Sequence, residues 1–331
     1  MKTEDINYSV IIRTTGNAHE KYQKLLDSIS QLKPIPAEVI VVLPENYDLP
    51  VERLGWETFV FCAKGMVRQR LVGVEAAKTR YALICDDDVS FPSDFVKKLH
   101  EPISEGKASF SVAPLYSFLP EKGLESLICT LMASAVPTVF HRKTRYVSVL
   151  KSSGYSYNKH LDRKTSRFYE SQSAAWTCFY ADISAFKKIE FDKEDWIDAH
   201  GYSALDDQTM FYKAWLMGFK TIVVSDAEYS HLDAKTSQHN NNYSMRFSMS
   251  HNRLIFWHRF IYLQQKGFLG KLVSVIAFLY RLIWIEIWKL VSIIRRRISI
   301  KDCSISREGF KQAMLYLKSY EYRQLPPIIK G

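Results

Sequence analysis

The stretch TRYALICDDDVSFP, residues 79–92, decides how the chain is read. An apolar run, Tyr81 to Cys85, ends in three consecutive aspartates, Asp86, Asp87 and Asp88, and the chain then turns at Phe91-Pro92. A short apolar run bounded by turn signals reads as a buried strand. A lone aspartate at a strand end is as often a helix cap or turn residue as anything else. Three adjacent carboxylates repel one another, and a divalent cation relieves that repulsion. Carboxylate oxygens suit Mg²⁺ or Mn²⁺, and such sites usually combine one or two carboxylates with substrate phosphates.

The flanking sequence supplies the fold class. YSVIIRT (8–14), AEVIVVL (37–43), TFVFCA (58–63) and YALIC (81–85) read as strands, and TIVVS (221–225) as a further one. Between them, residues 21–32 carry Tyr22, Leu25, Leu26, Ile29 and Leu32 at helical spacing, ended by Pro34 and Pro36. Residues 65–77 and 204–220 also read as helices. Alternating strands and helices with continuously apolar strands predict an α/β fold, a mostly parallel sheet flanked by helices. Ligands bind beyond the carboxyl ends of such strands, where Asp86–Asp88 fall. The polar, Ser- and Tyr-rich segment 151–173 reads as a mobile loop.

The chain's 331 residues, 47% hydrophobic, fit one large domain with additions or two domains. Five scattered cysteines (Cys62, Cys85, Cys129, Cys178, Cys303) show no CxxC spacing, which argues against a zinc or thiol–disulfide motif. The N-terminus lacks the pattern of a signal peptide, so reduced thiols in a cytosolic setting are the expectation. Charge is distributed unevenly. Residues 251–331 hold 15 Lys+Arg against 4 Asp+Glu, whereas residues 1–250 hold 30 against 31. A basic tail implies an anionic partner.

Two chemistries fit an acidic strand end of this kind. The haloacid-dehalogenase type of Mg²⁺ phosphatase carries Asp-x-Asp-x-Thr/Val, but Ser90 stands at the fifth position and no Gly-Asp pair follows. The other is nucleotide-sugar transfer. Over about residues 7–233 the sequence resembles glycosyltransferase family 2, inverting enzymes with a GT-A type, Rossmann-like fold. YSVIIRT resembles that family's opening strand. GMVRQRLVG resembles its Gly-x-x-x-x-Arg-Asn-x-Gly segment, with Gly65, Arg70 and Gly73 in register and Leu71 in place of Asn. CDDDV resembles its Asp-x-Asp motif, LDDQTMFYKAWLMGFK its Glu-Asp helix, and AEYSHLD the later segment with a metal-binding His. Leu43 and Pro44 replace the usual nucleobase-reading Asp, which leaves Glu45, Asn46 or Asp48 to substitute.

The resemblance implies the roles. Asp88 and His231 bind Mn²⁺ or Mg²⁺, and Asp86 reaches the ribose or the metal. Arg70, Asp86 and Asp87 lie on the donor side, although Asp87 also reads as a turn-shaping residue. Asp207 is the general base, while Asp206 reads as its helix-dipole companion or an acceptor contact. Trp176 and Tyr180 are possible acceptor contacts, with core packing as their alternative. Arg68 reads as a solvent-exposed residue. The donor is a nucleotide diphosphate-sugar, a UDP-sugar first, and the acceptor a glycan or lipid-linked hydroxyl.

Residues 253–298 are rich in Trp, Tyr, Ile and Leu, yet their longest uncharged apolar run, 272–280, is short for a bilayer crossing. Lys271, Ser274, Arg281, Lys289, Ser292 and Arg296 form one narrow polar stripe at helical spacing. A catalytic domain over 1–250 and a helical tail over 251–331 follow as the expected organisation. The tail is expected to lie in an anionic membrane interface, holding the enzyme to the cytoplasmic face of the plasma membrane. Its alternative is a buried helix or a homo-oligomer contact. Nucleic acid is not expected, since the basic residues are diluted by bulky aliphatics. A non-catalytic, membrane-bound nucleotide-sugar-binding protein is the remaining rival.

Overall fold

The computed structural model describes residues 6–115, 145–158, 167–232 and 242–331, with Ile128 and Met132 besides. The N-terminal half alternates as expected: β1 (Tyr8–Arg13), α1 (Glu20–Ser30), β2 (Glu38–Pro44), β3 (Thr58–Cys62), α2 (Met66–Ala76), β4 (Tyr81–Asp86), β5 (Val89–Ser90) and α3 (Phe95–Ser104). There follow β6 (Phe110–Val112), β7 (Val147–Val149), β8 (Ser156–Asn158), β9 (Phe168–Ser171), β10 (Cys178–Asp182), α4 (Ile183–Lys188), α5 (Asp206–Leu216), β11 (Thr221–Val224) and β12 (Ser230–His231). The chain closes with α6 (Asn242–Phe256), α7 (Gly267–Ile294), α8 (Ile300–Tyr316) and α9 (Tyr320–Gln324).

Eight strands form the central sheet in the order β3-β2-β1-β4-β10-β6-β11-β9. The first four are parallel; β10 is antiparallel to both neighbours, and β9 is antiparallel to β11. Both faces are covered, which is why the centres of β1, β2 and β4 are apolar. In β1 and β4, Val10, Ile12, Leu83 and Cys85 pack with α1 and α3 on one face. Ile11, Ala82 and Ile84 belong to the core on the other. From β1 the chain winds through α1 toward β2, and from β3 through α2 back to β4. The order reverses between β1 and β4, which opens a crevice at their carboxyl ends.

Gly73 sets how closely α2 approaches the sheet. A Cβ there would overlap Ile11 Cγ2 and lie 3.1 Å from Val42 Cγ2. Gly73→Ala is expected to cost about 1–3 kcal/mol by overpacking, read as a lower urea midpoint.

The tail differs from its expectation in three ways. The boundary at 250/251 falls inside α6, and residues beyond it enter the main core, among them Phe256, Phe260 and Ile261. Asn252 donates to the carbonyls of Ile197 and Ala204, and Arg259 pairs with buried Glu194 at 2.8 Å. Lys213 of α5 shares that carboxylate at 2.8 Å, and these two cations hold Glu194 below the usual carboxylate range against the cost of burial. Secondly, α7 is one unbroken helix of 28 residues, long and apolar enough by composition to cross a membrane. The charges that limit its longest uncharged run do not interrupt it.

Thirdly, the first half of its polar stripe faces the protein. Ser274 Oγ donates to Ser152 O at 2.8 Å and accepts from Trp257 Nε1. Arg281 donates to Ser153 O and lies over the Tyr155 ring, while Lys271 lies over Tyr262. Phe278 stacks on Trp257 at 4.2 Å. Ile276, Leu279, Ile283, Ile287 and Leu290 point outward and are exposed. The stripe's first half finds backbone and aromatic partners in the protein beneath it, so that part of the stripe turns in and the apolar faces turn out.

Candidate active site

The sheet's reversal point gathers charged side chains from separate elements. β1 ends in Arg13, followed by Thr14, and β4 ends in Asp86, beside Arg13 in the strand register. Asp86 Oδ1 accepts from Arg13 Nε at 3.0 Å and from Arg70 Nη2 at 2.6 Å. Arg70, on α2 and 1% exposed, also approaches Asp206 Oδ2 with Nη1 at 3.4 Å and donates to Trp176 O. Its guanidinium lies over the Trp176 ring, 4.5 Å from the centroid. Arg70 thus joins the strand-end carboxylates to those at the start of α5. Arg70 Nε and Trp176 Nε1 are buried without hydrogen-bond partners among the described residues.

The helix that carries Arg70 is fixed from a distance. Asp198 accepts from the backbone N–H groups of Val67 and Arg68, at 3.1 and 3.0 Å, capping the first turn of α2. Ser203 Oγ donates to the same carboxylate. A Cβ at Gly65 would lie 2.6 Å from Asp198 Oδ2, so a glycine there leaves room for this cap. Gln69 donates to Thr14 O and Val42 O, both at 2.9 Å, and ties α2 to the ends of β1 and β2.

The three aspartates of the triplet take three different situations. Asp86 Oδ1 is held by the two arginines, so this oxygen is engaged with cations of the protein. Asp87 Oδ2 accepts from Thr14 Oγ1 at 2.6 Å. It is buried, and desolvation pushes its carboxyl up to about 6. That position fits the turn-shaping reading rather than donor contact. Asp88 Oδ1 lies 3.4 Å from His231 Nε2. Pairing of β5 with β12 brings them together, and Leu232 N donates to Asp88 O at 2.7 Å.

Asp206 and Asp207 open α5 after Leu205, whose φ of 64° turns the chain into the helix. Gln208 N donates to Asp207 Oδ1 at 2.6 Å. Burial pushes both carboxyls above the usual range, and the charge on Asp207 pushes Asp206 further, to about 7. Together with Arg70, Asp86, Trp176 and His231 they line one cleft of about 450 Å³. Three aspartates, Asp86, Asp206 and Asp207, line this cleft with Arg70, and Arg13 reaches Asp86 from beside it. A divalent cation and raised carboxyl pKa values are the two ways to relieve that imbalance.

Among the described residues, no group of three or more His, Cys, Asp and Glu side chains is arranged to hold a metal ion. Asp88 and His231 supply one hard oxygen and one imidazole nitrogen, both partly exposed. That donor set fits a divalent ion completed by phosphate oxygens from a bound ligand.

Other expectations are corrected. Tyr180 is fully buried on the far face of the sheet, 3.1 Å from His100 Nδ1, and cannot reach the cleft. Trp176 lines the cleft but is 3% exposed, and Arg70 already covers one face of its ring. Much of the 151–173 segment is ordered. Residues 156–158 form β8, 168–171 form β9, and Gln208 donates to Gly154 O and accepts from Ser156 Oγ. Residues 159–166, like Cys129, lie outside the described residues. Arg68 is exposed, as expected. Glu45, Asn46 and Asp48 are on the exposed loop after β2.

Sequence reasoning missed Arg13, Gln69 and Asp198. A charged residue ending an otherwise apolar strand is the same signal as the aspartate triplet, and it was present at Arg13. Asp198 carries no comparable local signal, because the backbone groups it caps, those of Val67 and Arg68, are more than a hundred residues away.

No protein-family model matches the sequence, and no curated protein matches it either. Solved structures do. The fold resembles that of GalNAc-T7 with UDP, GalNAc and Mn²⁺ (15% identity, TM-score 0.50), over 68% of this chain and 43% of that one. It also resembles S. aureus TarS residues 1–349 (14% identity, TM-score 0.51), over 93% of this chain and 81% of that one. The same protein in complex with UDP-GlcNAc gives 13% identity, TM-score 0.50 and the same coverage. The likeness is one of fold, a GT-A type α/β architecture. The chain spans less than half the length of GalNAc-T7.

Proposed function

We propose that the chain is a metal-dependent, inverting glycosyltransferase. It moves a sugar from a nucleotide diphosphate-sugar to a hydroxyl of a glycan or lipid-linked acceptor, in cell-surface polysaccharide synthesis. The observation that carries the proposal is the convergence of Arg70, Asp86, Asp206, Asp207 and His231 in one cleft at the sheet's reversal point. The UDP and UDP-GlcNAc held by the fold's neighbours support a UDP-sugar donor, and the Mn²⁺ in GalNAc-T7 supports a divalent ion. Asp88 and His231 would hold that Mn²⁺ or Mg²⁺, which when bound supplies Lewis-acid stabilisation to the leaving diphosphate. Asp207 takes the acceptor's hydroxyl proton. Arg70 keeps Asp206 and Asp86 in place, and the electroneutrality of that corner depends on it.

Two protein ligands alone make a weak metal site, so metal and nucleotide should bind together. In calorimetric titrations of UDP, Mn²⁺ should tighten binding at least about tenfold, and Asp88→Asn should remove that gain, the loss of one charged ligand. Metal dependence left intact in Asp88→Asn would refute this assignment. A phosphatase of the haloacid-dehalogenase type needs its first aspartate open to substrate, whereas Asp86 is locked between two arginines. A non-catalytic nucleotide-sugar binder would show the same titration and no turnover.

The enzyme works, on this reading, at the cytoplasmic face of an anionic membrane, bound from one side. The outward apolar face of α7 and the exposed Arg295–Arg297 just beyond it support this placement. Since residues after 250 are part of the core, point changes test it better than truncation. Ile276→Asp with Ile283→Asp should abolish co-sedimentation with anionic vesicles while the far-UV spectrum stays unchanged. A double variant that sediments like the parent would contradict the placement. A lipid-free dimer that the same variant dissociates would favour a homo-oligomer contact instead.

A further inference from the structure

A second cavity, of about 220 Å³, lies between α6, α7 and α8, apart from the cleft described above. Leu254, Phe278, Leu282 and Phe310 make its walls apolar. Arg253, Lys289 and Arg307 bring positive charge to it, and Glu286 is the one acid among its lining residues. Glu286 is already engaged, at 2.7 Å from Lys289 Nζ and 3.8 Å from Arg307 Nη2.

Arg253 is the anomaly. Buried Arg70 and Arg259 each hold carboxylates. Arg253 is half-buried and its Nε, like that of Arg70, is sealed from solvent without a hydrogen-bond partner, but unlike Arg70 and Arg259 it forms no ion pair with a carboxylate among the described residues. Burial pushes its guanidinium down to about 10, with no carboxylate to oppose the shift. Arg281, on the adjoining turn of α7, is pushed down to about 9 by burial and then by the charge on Arg253. Two crowded, half-buried cations with no carboxylate partner among the described residues are costly unless an anion joins them. An apolar wall beside them selects an anion that also carries hydrocarbon. On the outer side of the same helix, Leu279, Ile283 and Ile287 are exposed and offer hydrocarbon chains a track.

We propose that this cavity binds the phosphate of an anionic phospholipid, with Arg253 as its main donor and the acyl chains lying along the exposed face of α7. Bidentate donation from a guanidinium suits a phosphodiester, and Lys289 and Arg307 add charge at the rim. The site does not depend on the transfer reading, since its residues are separate from the cleft.

The test uses thermal unfolding of the full chain with three probes: monomeric short-chain phosphatidylglycerol, short-chain phosphatidylcholine, and inorganic phosphate. Phosphatidylglycerol should raise the midpoint with concentration, as a ligand of the native state does. Phosphatidylcholine should need about tenfold more, the worth of one charge-assisted contact left unbalanced. Inorganic phosphate at the same concentration should give no shift. Arg253→Met should unfold at or above the parent's temperature without lipid, since it removes an uncompensated buried charge, and should lose the preference for phosphatidylglycerol. The triple change Arg295→Gln, Arg296→Gln, Arg297→Gln should keep that preference, which separates the cavity from the basic run beyond α7. If Arg253→Met does not fold, Lys289→Met carries the same comparison and should weaken the preference. Equal shifts by the two lipids, an equal shift by inorganic phosphate, or a preference unchanged in the cavity variants would each overturn the proposal.

Discussion

Asp207→Asn is expected to lower turnover by roughly 10²–10⁴-fold, the usual range for loss of a general base, while leaving nucleotide-sugar binding within a few-fold of the parent. Asp207 lines the cleft and has no arginine within ion-pair distance of its carboxylate among the described residues, unlike its neighbour Asp206. Its backbone contact to Gln208 N holds one oxygen in place. Burial raises its pKa, so the ionised form is a stronger base than an exposed aspartate. The pH profile follows from the sign of that shift. A base works when ionised, so kcat/KM should rise with pH through the raised pKa and fall as pH drops below it. The acid limb should therefore lie above about 4, where an ordinary aspartate titrates, because burial raises the Asp207 carboxyl. Asp206→Asn should give a smaller loss of turnover in the same assay. Steady-state kinetics across pH 4–9 decide this; a limb near 4 in the parent, or full turnover in Asp207→Asn, would place the base elsewhere.

Arg70→Met is expected to be the most destabilising single change in the cleft. The guanidinium is 1% exposed and is shared by Asp86 and Asp206. Removing one partner from a buried ion pair costs about 3–5 kcal/mol, because the remaining charge stays buried. Arg13 still reaches Asp86, so most of the penalty falls on the pair Asp206–Asp207. Those carboxyls titrate higher in the folded than in the unfolded chain, so the folded state holds the extra protons and gains stability as pH falls. The deficit of Arg70→Met should thus shrink between about pH 7 and pH 5 as protons replace the lost cation. Urea midpoints at both pH values test it. A midpoint within error of the parent's at pH 7, or a deficit that widens on acidification, would contradict the picture of Arg70 as the site's shared counterion.

The parts legible in the sequence are those with a local signature. β1, β2 and β4 announce themselves through apolar runs, because helices on both faces favour apolar residues at their centres. Gly65, Arg70 and Gly73 are legible as a spaced set, and the structure gives each its reason: room for the Asp198 cap, a shared counterion, and close contact of α2 with Ile11. His231 and Asp88 are adjacent because β12 pairs with β5, which register across 140 residues decides. What stays hidden depends on direction rather than composition. Strand parity turns Tyr180 toward α3 while Phe179 faces the opposite core. The stripe on α7 is legible as a stripe, but nothing local says that Ser274 and Arg281 face residues 152–155. Likewise a change of charge balance near residue 250 does not mark a boundary when Asn252 and Arg259 pin the segment leading to Asp206 and Asp207.

The central claim is sugar transfer with inversion at the Asp88–His231 and Asp206–Asp207 cleft. Proton NMR of a UDP-sugar panel, incubated with the full chain, Mn²⁺ and glycan or lipid-linked acceptors, tests it most directly by following the anomeric signals. The account predicts that one donor is consumed and that its sugar appears with the opposite anomeric configuration, in a reaction that Asp207→Asn slows by roughly 10²–10⁴-fold. Product that keeps the donor's configuration would contradict it. So would phosphate release from generic phosphoesters with no donor consumed.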